Sequence, residues 1–172
     1  MLKIGVIGPG EGLCSTELYH FGEKLGKSLG SPESVIVCGG KGGFMEAVCK
    51  GVKSSPLTFG GQTIGILPED TPARANPFID VTIPTGIGIA RNIVIINTAD
   101  IIIAAGGGSG TLSELAFAWQ KGKTVLCISQ FGGWAAELAG KNIDNRNSDL
   151  FIEVNTVDDI LENIKKLNPK LH

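Results

Sequence analysis

Three glycine-rich stretches, Gly8-Pro9-Gly10, Gly39-Gly40-Lys41-Gly42-Gly43 and Gly106-Gly107-Gly108-Ser109-Gly110-Thr111, hold the residues of this chain whose types and spacing are suited to chemistry. Without Cβ atoms, such a backbone approaches a ligand closely and offers its N–H groups to an anion. The third stretch follows the apolar run Asp100 to Ala104 and precedes an amphipathic segment, so it opens a helix. The first N–H groups of a helix lack internal partners and its end is positive, which together make a seat for phosphate. Ser109 and Thr111 add hydroxyl donors, and Lys41, with a glycine pair on either side, could reach a phosphate. The same residues also spell a capping box, in which Thr111 caps the helix and Glu114 bonds back to the N-cap amide.

Arg91 stands in the otherwise apolar run Gly88 to Asn97, which reads as a buried helix. A guanidinium there needs a partner: solvent reached by snorkelling, a structural acid, or, across the glycine cleft, a ligand oxyanion or Glu114. Neither G-x-G-x-x-G nor the G-K-[ST] ending of a phosphate loop is properly met, which argues against NAD and against ATP hydrolysis. His20 has no catalytic partner at a telling spacing and reads as structural. Phe44 and Met45, after the second loop, could touch a flat ring, but their spacing in the following helix favours core packing, and Trp119 falls at core spacing with Leu112 and Leu115. Trp134, after Gly132-Gly133, fits a pocket wall or a subunit contact.

To position these loops the chain must alternate short strands with amphipathic helices. Strands are expected at Lys3 to Ile7, Ser34 to Cys38, Thr63 to Leu67, Asp80 to Ile83, Asp100 to Ala104, Thr124 to Ile128 and Leu150 to Val154. Several are apolar throughout, as buried parallel strands are. Helical spacing marks Thr16 to Leu29, Phe44 to Lys53, Thr111 to Lys121 and Val157 to Leu167. The expectation is one α/β domain over residues 1–172, a Rossmann-like three-layer sandwich with its ligand at the carboxyl edge of a mainly parallel sheet. The polar connection Pro68 to Pro77 could close over that ligand.

At 172 residues the chain buries a core without staples, and 25 glycines tilt its composition toward tight turns. A formal charge of −2 and no cluster of Lys and Arg leave no field for nucleic acid, so local geometry must hold any anion. Cys14, Cys38, Cys49 and Cys127 are too scattered for a disulfide framework or a zinc site. With no signal-peptide pattern and no apolar run of about 20 residues, no membrane role is expected, and the reading is a cytoplasmic protein.

The combination Gly39-Gly40-Lys41-Gly42-Gly43-Phe44-Met45, Ala90-Arg91-Asn92 and Gly106-Gly107-Gly108-Ser109-Gly110-Thr111 followed by Glu114 resembles the LOG-like superfamily of Rossmann-like proteins. The likeness spans nearly the whole chain, including Gly65-Ile66-Leu67-Pro68 and Gly132-Gly133-Trp134. Its Lonely Guy branch, which releases a free base from nucleoside 5′-monophosphates, carries P-G-G-x-G-T-x-x-E with an upstream Arg-Lys; here Gly106 replaces the proline and Asn92 the lysine. Those departures are similar to the branch that includes the molybdenum cofactor carrier proteins.

The resemblance implies a binding or carrier protein for a phosphorylated small molecule, a pterin cofactor or nucleotide, with molybdenum cofactor as cargo and no metal ligated by the protein. It would be held by Gly8, Pro9, Gly10, Gly39, Gly40, Lys41, Gly42, Gly43, Arg91, Gly107, Gly108, Ser109, Gly110, Thr111 and Glu114. It implies a homo-oligomer, dimer or tetramer. The alternative is a phosphoribohydrolase in which Arg91 holds the oxyanion and Glu114 stabilises the oxocarbenium-like ribose or orients water.

Overall fold

A computed structural model describes residues 1–57 and 62–167. Seven strands, β1 (Leu2–Ile7), β2 (Ser34–Cys38), β3 (Thr63–Leu67), β4 (Val81–Pro84), β5 (Ile101–Ala105), β6 (Val125–Ile128) and β7 (Phe151–Val154), form one sheet in the order β4-β3-β2-β1-β5-β6-β7. Every pairing is parallel, with Val6 opposite Cys38 on one side of β1 and Ile7 opposite Ala104 on the other. The chain runs outward from β1 to β4 and then returns to β5, so the topological switch lies between β1 and β5, where ligand clefts form in open sheets.

Six helices cover the sheet: α1 (Thr16–Leu29), α2 (Phe44–Ser54), α3 (Asn92–Thr98), α4 (Ser109–Gln120), α5 (Gly133–Leu138) and α6 (Val157–Leu167). Because successive strand residues face opposite sides, the interior divides in two. On one face Ile4, Val6, Ile36 and Ile103 pack against Leu18, Leu25, Phe44, Val48, Ile160 and Ile164 of α1, α2 and α6. On the other, Ile7, Val35, Val37 and Ile102 pack against Ile95, Ile96, Leu115, Trp119 and Ala135 of α3, α4 and α5.

Helix ends follow their sequence signals where the side chains are free to act. Ser15 accepts from the Leu18 N–H at 3.2 Å to start α1. At α6 the reciprocal pair is complete, with Asp159 N–H donating to Thr156 Oγ1 at 3.0 Å and Thr156 N–H donating to Asp159 Oδ2 at 2.9 Å. Acids in the first turn of α6 and lysines in its last complement the helix dipole.

The run from Gly88 to Asn97 is not one buried helix. Gly88–Arg91 forms an exposed 3₁₀ turn and only then does α3 begin, burying Asn92, Ile95 and Ile96. Ile87 and Ile89 stay exposed. The apolar pattern was continuous, but the turn must climb over the end of β3, where Gly88 N–H donates to Pro68 O at 3.0 Å, and that route carries it outside the core.

Helices α1 and α2 cross so closely that backbone meets backbone. A Cβ on Gly26 would stand 2.0 Å from Val48 O, and one on Gly51 would stand 2.2 Å from Glu23 O. Since neither carbonyl can step aside, Gly26→Ala is expected to destabilise the fold by about 1–3 kcal/mol despite alanine's better helix propensity. Urea unfolding would show it, and an unchanged midpoint would contradict the close crossing.

Candidate functional site

The carboxyl ends of β1, β2 and β5 open into a cleft of about 540 Å³. Its third loop is shaped by two left-handed glycines, Gly106 (φ 52°) and Gly107 (φ 88°). The N–H groups of Trp134 and Ala135 in α5 donate to Gly107 O and Gly106 O, each at 3.1 Å. In a trans peptide the N–H points opposite to the carbonyl, so the amides of Gly107 and Gly108 are turned away from α5. Proline, with φ locked near −65°, could not occupy position 106 in this turn.

Helix α4 then starts from Gly108 with no side chain capping it. Gly108, Ser109, Gly110 and Thr111 line the cleft, and space is open beyond the Cα atoms of Gly108 and Gly110. The capping box read from Thr111 and Glu114 is therefore not formed. The helix begins two residues earlier, Thr111 is buried inside its first turn, and the Glu114 carboxylate turns to Arg91 instead of the N-cap amide.

Arg91 and Glu114 meet at the cleft floor with Nη1 and Oε1 3.3 Å apart, their side chains only 12% and 8% exposed. The same Nη1 donates to Asn92 Oδ1 at 2.5 Å, while Asn92 Nδ2 donates to Ser113 Oγ at 2.8 Å and so ties α3 to α4. The guanidinium lies flat against Gly39, where a Cβ would stand 2.7 Å from Nη2. Arg91 Nε is buried without a partner. Burial raises the Glu114 carboxyl to about 7, outweighing the neighbouring guanidinium, which acts in the opposite sense.

The first and second loops interlock. Phe44 N–H donates to Pro9 O at 3.1 Å, and Gly43 (φ 78°) approaches Pro9 and Gly10 so closely that a Cβ would sit 2.5 Å from Pro9 O. Lys41 reaches the cleft but its ammonium is engaged by Glu69 at 2.6 Å. The connection after β3 is strapped to this loop, with Asn76 N–H donating to Gly40 O at 2.8 Å and Asn76 Nδ2 to Lys41 O at 3.0 Å.

Of the residues singled out in the sequence, Gly8, Pro9, Gly10, Lys41, Gly42, Arg91, Gly108, Ser109, Gly110, Thr111 and Glu114 line the cleft together. Gly39, Gly40, Gly43 and Gly107 stand behind it as places where neighbouring groups pack too tightly for a side chain. Phe44 is core, whereas Met45 is largely buried yet contributes to the cleft wall. Glu11 and Leu13 also line it, unmarked by any motif, as does Asn92, which the sequence marked only as the replacement of a lysine. His20 pairs with Glu23 on an exposed face of α1, away from the cleft.

Solved structures with this architecture include the molybdenum cofactor binding protein of Rippkaea orientalis, 30% identical with a TM-score of 0.82 over 96% of both chains. The molybdenum cofactor carrier protein of Chlamydomonas reinhardtii is 26% identical, with a TM-score of 0.81 over 99% of this chain and 100% of that one. Among curated proteins, a cytokinin riboside 5′-monophosphate phosphoribohydrolase of Mycobacterium marinum is 27% identical over 161 residues, 85% of this chain and 84% of the relative. The model of the SLOG cluster4 family matches residues 1–161, and with its uncapped glycine turn and matching fold the chain belongs to that LOG-like family.

Proposed function

We propose that this protein binds and carries a phosphorylated small molecule, with molybdenum cofactor as its cargo. The observation that carries this reading is the start of α4, where the amides after Gly107 enter an open cleft with no capping side chain to satisfy them. A phosphate would accept from those N–H groups and from the Ser109 and Thr111 hydroxyls, and Arg91 would neutralise part of its charge.

The residues present fit such a cargo. The cleft volume of about 540 Å³ falls within the range of about 300–1,000 Å³ in which small ligands bind. Among the described residues no group of three His, Cys, Asp or Glu side chains could hold a metal ion, so a molybdenum-bearing pterin would be gripped through its phosphate and rings, the metal staying on its own sulfur ligands. The likeness to molybdenum cofactor binding and carrier proteins over nearly the full chain supports this choice of cargo.

A second reading, hydrolysis of a nucleoside 5′-monophosphate, is favoured by one observation: Glu114 is a buried acid titrating near neutrality within reach of the same cleft. Two others favour the carrier. Asn92 stands where the hydrolases have lysine, and the left-handed turn at Gly106 excludes their proline. Incubation with a panel of nucleoside 5′-monophosphates, followed by chromatography for free base, separates the two. The expected result is no release by the native protein. Turnover that is lost in Glu114→Gln would replace the carrier with the enzyme.

A further inference from the structure

The cleft has two unlike walls because its elements come from opposite faces of the sheet. From the α3 and α4 side come Arg91, Asn92, Thr111 and Glu114, all polar; from the α1 and α2 side come Pro9, Leu13 and Met45, all apolar. The charged groups on that second side are Lys41, which is engaged by Glu69, and Glu11.

Leu13 is the unusual member of this wall. It is 79% exposed and belongs to the connection between β1 and α1, which turns sharply at Gly12 (φ 80°). A hydrogen bond from its N–H to Gly10 O at 3.2 Å pins the turn, and two residues later Ser15 caps α1. The turn thus places Leu13 at the cleft, with its side chain in solvent and not in the core. Met45, from the first turn of α2, supplies a polarizable thioether to the same wall.

Resting on the reading of α4 as a phosphate seat, we propose that Leu13 is a specificity-determining residue, covering the flat heterocyclic ring of a phosphorylated ligand on the apolar wall while its phosphate occupies the polar one. Met45 follows β2, which is separated from β5 by two strand spacings, about 10 Å, and Leu13 follows β1, which lies between them. That matches a molecule with an anion at one end and a ring at the other, and is wider than a bare phosphate needs. Ring contact would remove from water an apolar side chain that is otherwise largely exposed.

The test compares guanosine 5′-monophosphate, whose base shares the aminopyrimidinone half of a pterin, with ribose 5-phosphate, which lacks a ring. Calorimetry would use the full chain, Leu13→Ser, Leu13→Phe and Gly108→Asp. Leu13→Ser is expected to weaken guanosine monophosphate about tenfold and to leave ribose 5-phosphate unchanged, while Leu13→Phe retains the nucleotide. Equal weakening of both ligands, or no weakening of the nucleotide, would overturn the role of Leu13. If Gly108→Asp leaves both affinities intact, or the native protein binds neither, the phosphate seat itself fails and the ring wall with it.

Discussion

Gly108→Asp is expected to lower affinity for any phosphorylated ligand by at least about 100-fold while making the protein slightly more stable. The two effects have one cause. Gly108 is the N-cap of α4, its φ of −104° is open to any residue, and no atom lies within 4 Å of the position its Cβ would take. An aspartate there is a favourable cap, worth only about a few tenths of a kcal/mol over glycine, and its charge suits the positive helix end. By satisfying the free amides it also occupies the place of the phosphate. Between like charges about 4 Å apart the repulsion reaches about 4 kcal/mol at an effective dielectric of about 20. Gly108→Ala, which adds bulk without charge or acceptor, should leave binding largely intact. Calorimetry gives the affinities and thermal melts the stability; a melting temperature that falls together with affinity would mean that the turn, not the seat, had been damaged.

A comparably large effect is expected from Glu114 as pH changes. Its carboxyl is raised to about 7 in the folded protein against an ordinary value of 4.5. Folded and unfolded chains are both protonated at this site below about pH 4.5, so its burial then carries no ionisation penalty. Between that value and about 7 the folded state holds the proton that the unfolded state has released, so stability falls as pH rises. The loss is complete above about pH 7 and amounts to about 3 kcal/mol. Glu114→Gln has no such proton. Urea unfolding at pH 5 and pH 8 should therefore show the wild type losing about 2.5 kcal/mol more than the variant over that interval, other titrating groups being common to both. The variant's absolute stability is a separate matter, because Arg91 loses its acid partner at every pH. Parallel pH profiles would show that the Arg91 guanidinium holds the Glu114 carboxylate ionised well below neutrality.

Arg91 and its acid partner Glu114 were visible as candidates, but the partner of Lys41 was not. Arg91 lies in a run whose neighbours are apolar, where the 3₁₀ turn passes into α3, and its guanidinium packs against Gly39 from the second loop. Lys41 looked free between its glycines, yet Glu69, far along the chain in the connection after β3, engages it. The Thr111 to Glu114 spacing has the same form as Thr156 to Asp159, and only the second is a capping box. At α4 the left-handed turn at Gly106 and Gly107, held by α5, starts the helix two residues early, and a nearby guanidinium draws the carboxylate away.

By itself the sequence determined the parallel sheet, α1, α2, α4 and α6 to within about two residues, and the placement of three glycine loops at the carboxyl edge. Period-two and period-3.6 burial and the conformational freedom of glycine are local properties that each segment carries with it. Tertiary structure decided which side chains answer one another across the cleft, and that Leu13 and Met45 share it with Arg91 and Glu114. Those outcomes depend on which face of the sheet each helix covers and on pairings between residues far apart in the chain, and no segment holds either in its own sequence.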